Sequence, residues 1–161
     1  GSGERMRLDL VEVIERAIHW VGKGSGARLE VVRDLPENLA VEGNAGEIQQ
    51  VVMNLVQNAA DATANVATPR LVISGRLDGG RAVVEFHDNG PGIRPEHLGR
   101  LFDPFFTTKP VGQGTGLGLS LAYGIVRKHH GRIDVRSEPG RGTCFRVTLP
   151  VRRPGVEGGT T

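Results

Sequence analysis

Aromatic side chains are scarce: one tryptophan, one tyrosine and five phenylalanines make up 4% of the 161 residues. Basic residues are scattered, and the formal net charge is only +2. A protein that stacks on bases or tracks a phosphate backbone needs aromatic platforms or clustered cations, so nucleic acid is not expected as a partner. The single cysteine, Cys144, has no partner for an internal disulfide and no metal-binding companion. That points to a reducing compartment, the cytoplasm. There is no apolar run of about eighteen residues and no secretory signal, so no membrane contact by this chain is expected. Gly1-Ser2-Gly3 reads as a cloning scar ahead of a single domain over 4–150, and the Pro/Gly-rich residues 151–161 read as a flexible tail.

Glycine is what the chain has in excess: 24 residues, roughly twice the usual share of about 7%. The excess concentrates between Gly79 and Gly142, where apolar strand and helix patterns interrupt it and exclude disorder. Leu8, Val11, Ile14, Ile18 and Val21 recur at helical spacing and predict a helix over 8–21, closed by Gly22, Gly24 and Gly26. Strands are expected over 27–33 and 39–42. Asn44 as N-cap with Glu47 three positions on predicts a capping box and a helix running to about Asn65. Strands at 71–77 and 82–87 flank the hairpin turn Asp78-Gly79-Gly80-Arg81. A short helix over 95–101, an irregular segment over 102–115, a helix over 117–130 and a strand pair at 132–136 and 143–149 complete the reading. Helices and hairpins in this order favour a mixed sheet with helices on one face.

Asn54, Asn58 and Asp61 are spaced four and three apart, so they share one helix face opposite Ile48, Val52, Leu55, Ala59 and Ala62. Asparagine is a mediocre helix former. Either the face is merely solvated, or its carbonyl oxygens ligate Mg²⁺ beside phosphate oxygens. Asp88 ends a strand and enters Asn89-Gly90-Pro91-Gly92. A carboxylate there can accept from the N6 amine of adenine, whereas guanine would present the acceptor O6; an ordinary turn is the other reading. Gly112, Gly114, Gly116 and Gly118 alternate, and the last two open a helix whose free N–H groups suit phosphate. They do not form a P-loop, and no strand precedes them as a Rossmann turn requires. A flexible loop remains open for this segment, as does a lid with Lys109 near enough to neutralise phosphate charge. None of the five histidines has zinc spacing, and His129-His130 end a helix where a cation would complement the dipole.

In this order the motifs resemble the catalytic and ATP-binding domain of bacterial sensor histidine kinases, within the wider family of type II topoisomerases, a heat-shock chaperone and a mismatch-repair ATPase. The resemblance runs from about Leu8 to Pro150. It rests on Asn54-Leu55-Val56-Gln57-Asn58, Asp88 to Gly92, Leu101-Phe102-Asp103-Pro104-Phe105-Phe106, Gly114 to Gly118 and Gly140-Arg141-Gly142-Thr143. It implies an α/β (α+β) two-layer sandwich of the Bergerat type, with a mixed, mostly antiparallel sheet of about five strands and about three helices on one face. It implies ATP as ligand, ADP as product and Mg²⁺ held by Asn58. Asn54 would contact the phosphate or metal shell, and Asp88 would bind adenine with Thr143 beside it. Gly90, Gly92 and Ile93 would shape the base pocket, and Asp61 would belong to the same site. Phe102, Phe105 and Phe106 would anchor a lid over 102–115, with Thr108, Lys109, Gly114, Thr115, Gly116, Leu117, Gly118 and Leu119 serving hinge and phosphates. The run Pro-Phe-Phe-Thr-Thr-Lys-Pro looks most like the nitrogen-regulation-type kinases.

In the hydrolases of that wider family a glutamate four residues before the metal-binding asparagine activates water. Asn54 stands there, and an amide cannot take that proton. The resemblance therefore implies delivery of the γ-phosphoryl to a histidine on a separate dimerisation domain, and indirectly to a response regulator, by a domain that is monomeric in isolation. His19, inside the first helix, is a poor acceptor. A serine kinase of the anti-sigma type and a nucleotide-gated interaction module are the alternatives.

Overall fold

The computed structural model describes residues 4–106 and 118–152. The chain begins with a strand, β1 (Met6–Asp9), that sequence periodicity assigned in part to the first helix. Leu8 fits the helical spacing by accident: β1 pairs antiparallel with β3 (Ala40–Gly43), a contact some thirty positions away that no local pattern reveals. Asp9 makes the changeover. Its Oδ1 accepts from the Val11 N–H at 3.0 Å, capping α1 (Leu10–Gly22), and from the Leu39 N–H at 2.8 Å, tying the helix start to β3. The buried stripe of α1 is Leu10, Val13, Ile14, Ala17 and Val21, so Val11 and Ile18 of the expected stripe lie at its half-buried margin.

The main sheet has five strands in the order β2-β4-β5-β7-β6: β2 (Glu30–Asp34), β4 (Arg70–Asp78), β5 (Arg81–Asp88), β6 (Arg132–Ser137) and β7 (Thr143–Pro150). β2 runs parallel to β4, and every other pairing is antiparallel. Leu71 and Ile73, Ala82, Val84 and Phe86, and Phe145, Val147 and Leu149 alternate inward, as period-two strands with one covered face require. Against them lie α1, α2 (Ala45–Ala62) and α4 (Gly118–Lys128), with α3 (Pro95–Leu98) a single turn between β5 and the 99–106 segment. The two-layer expectation holds. Cys144 is free and buried, and burial pushes its thiol pKa up. Among the described residues, no helix is long and apolar enough to cross a membrane.

Only half of the expected capping box forms. The Glu47 N–H donates to Asn44 Oδ1 at 2.9 Å, but the Glu47 carboxylate pairs with Lys128 at the far end of α4. The Asn44 N–H donates instead to His129 Nε2 at 3.1 Å, and His129 Nδ1 lies 2.9 Å from the Ile125 carbonyl. An Nε2 that accepts leaves the proton on Nδ1, so the ring is neutral and only 3% exposed. His129 is thus a pin between α2 and α4, not the dipole-complementing cation that its place at a helix end suggested. Burial, then the charge of Arg5 and Lys128, hold its pKa below the ordinary value, while the Ile125 hydrogen bond and Glu47 act the other way.

Between the lowered native value and the unfolded value of about 6.5, the unfolded chain binds a proton that the native state refuses. Stability is therefore expected to fall as pH drops below about 6.5 and to be flat in this group above it. Urea titrations at intervals from pH 7.5 to 5 check this, and His129→Gln should remove that part of the slope whatever its effect on absolute stability.

Candidate functional site

α2 delivers the asparagines. Its buried positions Ile48, Val51, Val52, Leu55, Val56, Ala59 and Ala60 lock its rotation, leaving Asn54, Asn58 and Asp61 half-buried along the other side. Ala62, expected in the core stripe, is half-buried instead. The Asn54 amide is committed within the protein: Nδ2 donates to the Gly118 carbonyl at 2.9 Å, and Oδ1 accepts from Gln50 Nε2 at 2.9 Å. Asn54 therefore holds the first turn of α4 against α2. Asp61 accepts from Gln57 Nε2 at 2.9 Å. Asn58 makes no side-chain hydrogen bond among the described residues, so its oxygen stays available on a face whose neighbours are tied down.

Asp88 is the last residue of β5 and is 3% exposed. Burial raises its pKa; the N–H groups of Gly90 (2.9 Å to Oδ1) and Thr143, and the nearby His87, pull it the other way. A carboxylate buried at this depth is costly unless used, and perturbed groups of this kind gather at functional sites. Thr143, directly opposite Asp88 in the β5–β7 ladder, is also buried. Its hydroxyl lies 2.9 Å from Ser137 Oγ, which donates to the Gly142 carbonyl at 2.9 Å and accepts from the Ile93 N–H at 2.7 Å. With its proton on Gly142, Ser137 receives the Thr143 proton, leaving the Thr143 lone pairs as acceptors. Ser137 thus fixes both Thr143 and the Ile93 backbone. Sequence reading missed it, and only the register that sets Ser137 opposite Thr143 could have found it.

The glycines after Asp88 have structural reasons of their own. Gly92 has φ +84°, and a Cβ there would lie 2.3 Å from the Glu138 carbonyl oxygen; a Cβ on Gly90 would lie 2.7 Å from that of Ala62. Gly142, at φ +81°, would put a Cβ 2.1 Å from the main-chain carbonyl oxygen of Asp88. The turn after β5 is thereby clamped between the end of α2 and the β6–β7 turn. A cleft of about 330 Å³ opens beside it, walled by Asp61, Ala62 and Asn65 on one side and by Asn89, Gly90 and Pro91 on the other. Asp88 and Asn58 are not among its lining residues.

Phe102 and Phe106 pack against the core, Phe102 stacked on Tyr123 of α4 at 5.2 Å and edge-on to Phe145 at 6.3 Å. Phe106 lies 5.5 Å from the His97 ring with the Arg100 guanidinium 4.6 Å over it. Phe105, expected as a third anchor, is 73% exposed with φ +68° and makes no ring contact among the described residues. Gly118 and Leu119 open α4, with Leu119 packed on the core. Thr108, Lys109, Gly114, Thr115, Gly116 and Leu117 lie outside the described residues.

Among the described residues no cluster of three His, Cys, Asp or Glu side chains could hold a metal ion. A site in which one neutral amide oxygen acts with phosphate oxygens needs no such cluster, and the open Asn58 carbonyl suits the hard, oxygen-seeking Mg²⁺.

Residues 43–153 match the model of the histidine kinase-, DNA gyrase B-, and HSP90-like ATPase family. The two-component sensor PprA of Pseudomonas aeruginosa is 36% identical over an alignment covering 97% of this chain and 18% of that protein. The sensory histidine kinase/phosphatase NtrB of Rhodobacter capsulatus is 37% identical, covering 92% of this chain and 44% of that one. The chain thus spans less than half the length of either relative. A mycobacterial sensor histidine kinase structure, MprB, superposes with a TM-score of 0.82 at 28% identity, covering 93% of this chain and 99% of that one. The catalytic domain of histidine kinase ThkA gives 0.82 at 31% identity, covering 93% and 97%.

Proposed function

Because this chain belongs to the histidine kinase-, DNA gyrase B-, and HSP90-like ATPase family, we propose that it binds Mg·ATP and passes the γ-phosphoryl group to a histidine on a separate helical dimerisation domain. The observation that carries this reading is Asp88, a buried carboxylate fixed by two backbone N–H groups. Its acceptor-only chemistry selects the N6 amine of adenine over O6 of guanine, and the Thr143 hydroxyl beside it offers further acceptor capacity.

On α2, Asn58 would hold Mg²⁺, which when bound supplies electrostatic stabilisation of the transferring phosphoryl oxygens. Asn54 keeps α4 docked and contributes no base. A bound water is then left unactivated by α2, which favours transfer over hydrolysis. Lys109 and the 112–118 glycines would serve the phosphates, and Phe102 and Phe106 would tether the start of the lid. The partners are the dimerisation domain and, through it, a response regulator; the setting is the cytoplasm, and the domain by itself is monomeric. The run Pro-Phe-Phe-Thr-Thr-Lys-Pro supports placing it near the nitrogen-regulation-type kinases, and NtrB is among its relatives at 37% identity.

Calorimetry with ATP and GTP in Mg²⁺ tests the base pocket. ATP is expected to bind at least about tenfold more tightly, the cost of setting an acceptor against an acceptor at a buried site. Equal affinities would remove Asp88 as the reader of the base.

A further inference from the structure

Basic side chains also converge at the end of the sheet remote from Asp88. Arg81 opens β5, Arg132 opens β6, Arg127 stands in the last turn of α4, and His130 follows it; with Gly131 and Thr148 they line a cleft of about 340 Å³. Among the described residues no acidic side chain lines it. Asp134 lies 3.1 Å from Arg132 and is shared with Arg146 at 3.7 Å, whereas the side chains of Arg81 and Arg127 make no ion pair or hydrogen bond among the described residues. The Asp88–Thr143 and Arg81–Pro150 pairs are opposite ends of one ladder. At about 3.4 Å per residue the separation is roughly 24 Å, too far for one nucleotide's phosphates to serve both ends.

We propose that this cleft is a second binding site, for a small polyanion carrying two linked phosphoryl groups. Three guanidinium groups that face one hollow repel each other unless a counter-charge joins them, and the shared Asp134 offsets only one. Guanidinium forks match phosphoryl oxygens bidentately, and all three lysine-or-arginine positions in the lining are arginine. The volume lies within the range of small-ligand clefts, about 300–1,000 Å³. The floor is fixed: a Cβ on Gly131 would lie 2.3 Å from the Thr148 carbonyl oxygen, so backbone rests directly on β7. His130 has φ +63°, the left-handed conformation that glycine adopts at ease after a helix. An imidazole held there at conformational cost stands on the cleft wall.

Inorganic pyrophosphate is the probe, titrated into the full chain without Mg²⁺ at constant ionic strength and followed in amide ¹H–¹⁵N spectra. Saturable shifts are expected at Gly131, Arg132 and Thr148, with half-saturation below about 1 mM. Arg81→Gln combined with Arg127→Gln, both exposed, should weaken binding by at least about tenfold without lowering the melting temperature. His130→Gly should weaken binding while raising the melting temperature. Absence of saturable shifts, shifts confined to the Asp88 end, or shifts that survive the double arginine replacement would each overturn the proposal.

Discussion

Asp88→Asn is expected to weaken ATP binding by about 10- to 150-fold, the equivalent of losing a hydrogen bond to a charged group, about 1.5–3 kcal/mol. The same replacement should leave the melting temperature within about 4 °C of the parent, or raise it. The two readouts separate because the native carboxyl is costly. Its folded pKa is raised above the unfolded value, chiefly by burial, so the native state binds more protons in the interval between the two. Whatever stability the protonated group provides at low pH is lost as pH rises through the folded value, and at neutral pH the buried charge is a net burden. Asparagine removes that charge and keeps one oxygen for the Gly90 N–H. A purely structural aspartate would behave the other way, with stability falling and nucleotide affinity changing only as the fold loosens. Calorimetry and thermal melts on the same sample decide between them.

Asn58→Ala should reduce phosphoryl transfer by at least about a hundredfold and raise the Mg²⁺ concentration needed for half-maximal rate, since a metal ligand stabilises charge in the transition state by several kcal/mol. It should not harm the fold. The side chain is half-buried and makes no hydrogen bond among the described residues, and alanine is the better helix former by about 0.5 kcal/mol. Asn54→Ala is the contrast: it cuts the link to the Gly118 carbonyl, so its melting temperature should drop. Unchanged Mg²⁺ dependence in Asn58→Ala would move the metal elsewhere on the chain.

How much of this was legible in the sequence depends on how far apart the interacting residues lie. The Asn44–Glu47 cap and the hairpin turn at Asp78–Arg81 are local, and both form at the expected places. The rest of the N-cap was illegible, because its acceptor His129 stands 85 positions away and the carboxylate that should have closed the box is drawn to Lys128. β1 was illegible for the same reason. A strand of four residues whose only signal is pairing with β3 looks like the start of the amphipathic helix that follows it.

At the candidate site, Asp88 and the α2 asparagines are singled out by residue type and spacing. Ser137 did not: a serine at a strand end carries no signal until the register places it against Thr143. The glycines were legible as glycines but not for their reason. Gly90, Gly92 and Gly142 are required where backbone crosses backbone, against the main-chain carbonyls of Ala62, Glu138 and Asp88, so they fix the turn that follows the carboxylate.

The central claim is donation of phosphate to a partner, and one measurement addresses it directly. The chain, Mg²⁺ and γ-labelled ATP are mixed with a purified dimerisation domain bearing its histidine, and the acid-labile label on each protein is followed with time. The account predicts phosphohistidine on the added domain, none on this chain's exposed His19, and loss of the signal in Asp88→Asn and Asn58→Ala. Label accumulating on His19, or free phosphate released at the same rate with and without the added domain, would contradict it.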